Sequence, residues 1–111
     1  MEPSEHGLKA RRDFLGDVFR KHILLYDREY VERHYGPDSD EIVTPLTNFK
    51  HRIRVRLHSL DRIEDSSNVD AETWTQICKV IDHEYANFDS FLILHGTDTL
   101  AYSASALSFA L

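Results

Sequence analysis

Phe14, Leu15, Val18 and Phe19 recur at helical spacing within a charged stretch. Apolar positions repeating every three to four residues form one stripe of a helix, so an amphipathic helix is expected over residues 8–20 with those four on its core face. The rhythm fails over residues 26–45, where charge crowds the chain and Gly36-Pro37, Ser39 and Pro45 interrupt it. That segment is expected to be a surface connection. Residues 52–58 read Arg-Ile-Arg-Val-Arg-Leu-His, a period of two that predicts a strand with one buried face. Asp70 is placed to cap a helix carrying Trp74, Ile77, Cys78, Ile81 and Tyr85 on one side, and Glu72 suits the positive end of its dipole. Phe91-Leu92-Ile93-Leu94 has no polar alternation, as a strand covered on both faces would. Residues 100–111 are rich in alanine and serine, a composition that lets a helix pack closely on its neighbours.

Strand, helix, strand, helix in that order points to an α/β fold with a parallel sheet and right-handed crossovers. Two parallel strands leave edges whose backbone groups need partners. The chain is therefore expected to be a fragment of a larger parallel-sheet domain, with residues 26–50 as the connection and residues 51–111 as the strand-helix-strand-helix core.

Composition narrows the classes. The 111 residues are 41% hydrophobic and 29% charged, which suits one domain of an ordinary globular protein. A formal charge of -6 opposes nucleic acid and anionic membrane as partners. The arginines of residues 52–56 are more simply the solvent face of their strand than a phosphate grip. The single cysteine, Cys78, allows no internal disulfide and falls on the apolar side of the Trp74 helix, so a small core residue and a cytoplasmic setting are expected. The polar, acidic start is not a signal peptide, and no stretch approaches the roughly 20 apolar residues of a membrane span. None of the seven histidines pairs at the spacing of a local zinc site, so no metal or other cofactor is expected.

The chemistry gathers behind the two strands. In α/β sheets ligands collect at the carboxyl ends of strands, and both exits here are polar: Asp65-Ser66-Ser67-Asn68 and His95-Gly96-Thr97-Asp98-Thr99. Each offers hydroxyls, a carboxylate and backbone N–H groups to a small polar ligand. Asp98 stands at the start of the last helix, where capping is as good an account of it as ligand binding. His95 borders the loop and is either an orienting group for a hydroxyl or a packed histidine bonded to backbone.

Residues 95–109, His-Gly-Thr-Asp-Thr-Leu-Ala-Tyr-Ser-Ala-Ser-Ala-Leu-Ser-Phe, resemble the second signature of type I L-asparaginases, and Asp65-Ser66-Ser67-Asn68-Val69 resembles their substrate loop. The likeness runs from about residue 26 to 111, and residues 1–25 match only faintly. It implies that residues 1–111 are part of the amino-terminal domain of such an enzyme. It also implies hydrolysis of L-asparagine to L-aspartate and ammonia through a threonine acyl-enzyme, in a cytoplasmic homo-oligomer. Thr97 would be the second catalytic threonine, and Asp98 its partner and the ligand of the substrate's α-ammonium. Ser66 would bind the α-carboxylate, with Asp65 and Ser67 shaping the pocket. The family's nucleophile lies in a Thr-Gly-Gly-Thr-Ile-Gly loop that this sequence lacks, and its lysine partner lies after the second signature. Asn68 and Val69 stand where the family more usually has aspartate or asparagine and methionine. The chain by itself is thus expected to be inactive. Alternatives are a lysophospholipase-type hydrolase on the same fold, a non-catalytic binding module and, more remotely, a transfer-RNA-dependent amidotransferase subunit.

Overall fold

The computed structural model describes residues 2–4, 7–9, 14–61 and 65–111. The chain divides into two compact units, one of residues 11–59 and one of residues 1–10 with 60–111.

In the first unit, α1 (Phe14–Lys21) places Leu15, Val18 and Phe19 half-buried. It begins later than the expected residue 8, because Leu8 lies in a strand. Between Lys9 and Asp13 only Ala10 is apolar, so the apolar stripe in the sequence has nothing to continue it before Phe14.

The stretch expected to be a surface connection holds two elements. Helix α2 (Arg28–Tyr35) starts at Asp27, whose side chain accepts the Tyr30 N–H (3.0 Å), a cap worth about 1 kcal/mol. Glu29 sits in its first turn and Arg33 and His34 in its last, each sign suiting the dipole. The helix stops at Gly36, whose φ of 98° is the left-handed conformation that glycine adopts without strain. Val31 alone of α2 is buried, so this short and strongly charged helix shows little apolar periodicity.

Strand β3 (Ile42–Val43) pairs antiparallel with β4 (Arg54–Val55), Ile42 opposite Val55. Ile42 and Val43 are buried. The turn between them is closed by Thr47 N–H to His51 O (2.9 Å) and Lys50 N–H to Thr47 O (2.9 Å), with Lys50 at φ 60°. The alternation of residues 52–58 survives only in part. Val55 and Leu57 are half-buried but Ile53 is 55% exposed. Arg52 turns inward instead. Its Nη1 donates to Asp27 Oδ2 (2.8 Å) and to Thr44 O (3.1 Å), and its guanidinium lies 3.9 Å from the centre of the Tyr30 ring. Arg54 and Arg56 both face Glu41, at 3.2 and 3.9 Å.

In the second unit, residues 2–4 (β1, Glu2–Ser4) pair antiparallel with residues 7–9 (β2, Gly7–Lys9). Helix α3 (Ala71–Glu84) packs on α4 (Leu100–Ala110). Asp70 caps α3 as its position demands, accepting the Thr73 N–H at 3.1 Å. Ile77, Ile81 and Leu107 form the core, with Leu60 and Cys78 against it. Tyr85 follows the last residue of α3 and is exposed.

Both ladders among the described residues are two-stranded and antiparallel, and the expected parallel pairing is not among them. The reason is local. The ten residues 44–53 bring β3 back beside β4, and closing a loop of that length costs less entropy than joining strands across an intervening helix. Residues 91–94 form no strand, and Leu92 and Leu94 are 83% and 60% exposed. Their apolar pattern asks for cover on two faces, but no ladder among the described residues includes them.

Candidate functional site

The two polar segments singled out in the sequence meet within the second unit. Asp65 Oδ1 accepts both the Ser67 N–H (3.0 Å) and the Ser67 hydroxyl (3.1 Å). These bonds lead into a single 3-10 turn over Ser66–Asn68. The Ser67 backbone bond first, and its hydroxyl second, hold the Asp65 carboxyl below its ordinary range. Asp65 therefore stays ionised well into acid. Ser67 spends its proton on that carboxylate, so its oxygen remains only as an acceptor.

Ser66 is used differently. Its Oγ accepts the Asp98 N–H (3.3 Å) and its carbonyl accepts the Thr99 hydroxyl (2.6 Å). An accepting hydroxyl keeps its own proton for another partner. Ser66 is half-buried, while Asp65, Ser67, Thr97 and Asp98 are exposed.

Gly96 makes this approach possible. A Cβ at that position would stand 2.5 Å from Ser66 Oγ and 2.7 Å from Ser66 Cβ, closer than atoms in contact tolerate. The absent side chain lets the 95–99 loop close on the 65–67 turn.

Thr99, not Asp98, is the residue before α4, and its side chain makes no capping bond. The Thr99 hydroxyl is committed to the other segment. Among the described residues no hydrogen bond ties the Asp98 carboxylate to the first turn of α4, so capping does not account for it. Nor does one join the Thr97 hydroxyl or the Asp98 carboxylate to the side chains of Ser66 or Ser67. The segments are held together through Ser66, Gly96 and Thr99, leaving Thr97 and Asp98 open to solvent.

Three participants escaped sequence reading. Thr99 carried no role of its own in the sequence, where Asp98 was the expected helix start. Ser103 looked like one small residue among several, yet it is 1% exposed, and its Oγ accepts the Trp74 indole N–H at 2.8 Å. Trp74 looked like plain core. His95 was left between two roles, and both of its ring nitrogens are bonded: Nδ1 to Gly96 O (2.6 Å) and Nε2 to Ser103 Oγ (2.8 Å). A serine one helical turn into α4, opposite the only tryptophan, was the available signal.

Among the described residues no three His, Cys, Asp or Glu side chains gather as a metal site would require. No described helix is long and apolar enough to cross a membrane. A cavity of about 760 Å³ lies within the first unit, lined by residues that include Arg20, Glu41, Val55 and Leu57. It contains none of Asp65, Ser66, Ser67, Thr97 and Asp98.

Comparison with known proteins agrees with the resemblance. A family described as "Asparaginase, N-terminal" matches residues 25–111. The 60 kDa lysophospholipase of Mus musculus is 34% identical over 108 residues, covering 97% of this chain and 19% of that protein. The L-asparaginase of Dirofilaria immitis is 38% identical over 101 residues, covering 89% and 17%. L-asparaginase 1 of Escherichia coli strain K12 is 49% identical over 55 residues, covering 50% and 16%. The chain thus spans less than a fifth of the length of these relatives. With residues 25–111 matched in one run that contains both polar segments, the chain belongs to the asparaginase amino-terminal family.

Proposed function

We infer that this chain supplies part of the substrate site of an L-asparaginase-type amidohydrolase that releases ammonia from L-asparagine in the cytoplasm. One observation supports the reading: Ser66 is bonded to Asp98 and Thr99, so the two family segments are held side by side. An amino acid carries an ammonium and a carboxylate on the same carbon and needs opposite kinds of partner side by side. Asp98 answers the ammonium as an exposed carboxylate. The unspent Ser66 proton answers the α-carboxylate. Asp65, pinned by Ser67, fixes the turn that carries Ser66.

Thr97 acts in this reading as the second catalytic threonine, its hydroxyl working with Asp98 on the attacking group. The first threonine of a Thr-Gly-Gly-Thr-Ile-Gly loop is not in this sequence. Catalytic groups that act as a unit lose most of their effect when one is missing, so the 111-residue polypeptide alone turns over no asparagine. The natural protein that carries this segment does, as a homo-oligomer. Ammonia release by that protein is the test. Thr97→Ala and Asp98→Ala are each expected to lower kcat/KM at least about a thousandfold, and near-normal activity in both would remove the roles assigned.

The mouse relative favours a second reading, because its 97% coverage of this chain comes with the name lysophospholipase. Fatty-acid release from a lysophospholipid by the same natural protein, with asparagine untouched, would select that activity instead.

A further inference from the structure

We propose that His95 is a positioning residue, locked in one tautomer by a one-way hydrogen-bond chain that runs from Trp74 through Ser103 to the Gly96 carbonyl. It rests on the hydrolase reading for its consequence but not for its geometry. With the ring neutral, the two outer bonds fix the direction of the middle one. The Trp74 indole can only donate, so Ser103 Oγ accepts there (2.8 Å). The Gly96 carbonyl can only accept, so His95 Nδ1 carries a proton (2.6 Å). In a neutral ring Nε2 is then the acceptor, and the Ser103 hydroxyl has one proton to give it (2.8 Å). The opposite tautomer would set two lone pairs against each other at Gly96. Donors and acceptors alternate without a break from α3 to the loop, and bonds aligned in this way polarise one another.

The chain's place in the fold gives it a task. Ser103 is 1% exposed on the face of α4 that meets α3, which makes it a fixed point. His95 carries that fixity to the carbonyl of Gly96, the residue pressed on Ser66 and followed directly by Thr97 and Asp98. The loop is clamped on one side by Ser66 and Thr99 and on the other by His95. His95 need not touch substrate; it sets where the peptide bearing Thr97 begins.

Ring-¹⁵N-labelled histidine in the 111-residue chain reads this without any activity assay. At neutral pH the His95 ring is expected to show one tautomer, N–H at Nδ1 and a bare acceptor at Nε2, against the exposed His58 as an averaged control. An averaged ring, or an Nε2–H ring, at His95 overturns the proposal. Ser103→Ala adds no volume at a buried position, and is expected to free the tautomer and to move the amide resonances of Gly96, Thr97 and Asp98 but not that of Thr73. Ser103→Thr keeps the hydroxyl and is expected to restore the lock. In the natural protein Ser103→Ala should lower kcat/KM about tenfold, the scale of one lost hydrogen bond, with Ser103→Thr recovering it. A freed tautomer with unchanged kcat/KM would overturn the positioning role. Absence of hydrolysis in the unsubstituted protein, with the tautomer as assigned, would instead sink the hydrolase reading and leave the clamp standing.

Discussion

Gly96 and Ser66 are in such close approach that a single methyl group decides whether their segments can meet. Gly96→Ala places a carbon where Ser66 Oγ and Cβ already stand. Overpacking of this kind typically costs about 1–3 kcal/mol, and the loss should appear in a denaturant titration along with shifted amide resonances at Ser66 and Asp98. Ser66→Gly removes the obstructing atoms, so the double variant is expected to be less destabilised than the sum of the singles. Strict additivity in that double-mutant cycle would show that the approach is not a real contact. The same pair shows what a sequence can and cannot disclose at this scale. The types of Ser66, Thr97 and Asp98 were legible because their chemistry is written in their letters. That Thr99 would spend its hydroxyl on Ser66 rather than on its own helix was not, since a threonine before an apolar run is also an ordinary cap.

At the level of elements, Asp27 ties α2 to the β3–β4 hairpin. It caps α2, its N–H donates to Val43 O (2.9 Å), and its carboxylate bonds to Arg52. The Arg52 bond first, then the Tyr30 N–H, lowers its pKa from the ordinary 3.8. A carboxylate with a lower folded than unfolded pKa stabilises the fold fully above the unfolded value. That contribution is lost as pH falls through the folded value, so the window lies below about pH 4. Acid titration of residues 14–59, followed by amide resonances, should therefore show an unfolding limb in that window. Asp27→Asn keeps the cap but loses the charge. It should weaken the first unit by roughly 1–2 kcal/mol at neutral pH and flatten the limb, and an unaltered acid profile would contradict the assignment.

Helices α3 and α4 were legible, α3 because Asp70 and the Ile77–Ile81 spacing agree and α4 because its alanine- and serine-rich composition suits close packing; which face it buries, that of Ser103 and Leu107, was not. Helix α2 was not, because one buried valine among charges leaves no stripe to see. Its real signals were its ends, the Asp27 cap and the Gly36-Pro37 stop. The parallel sheet was inferred from element order, which does not register that β3 and β4 are near enough in sequence to close a hairpin.

Across the molecule as a whole, the apolar run at 91–94 stands out. Four consecutive large hydrophobic residues lie between 38% and 83% exposed, and such a run with high β propensity is an aggregation site. The 111-residue chain is expected to associate as its concentration rises. Leu92→Lys, at the most exposed of the four, should raise the concentration at which light scattering appears several-fold, because a charge there opposes strand stacking. A chain that stays monomeric throughout would contradict this. The polypeptide also carries its own optical label. Its one tryptophan, Trp74, sits in the unit that holds the candidate site, whereas the unit of residues 11–59 has tyrosines but no indole. Indole emission, excited beyond the tyrosine band, therefore reports the surroundings of Trp74 in the site-bearing unit.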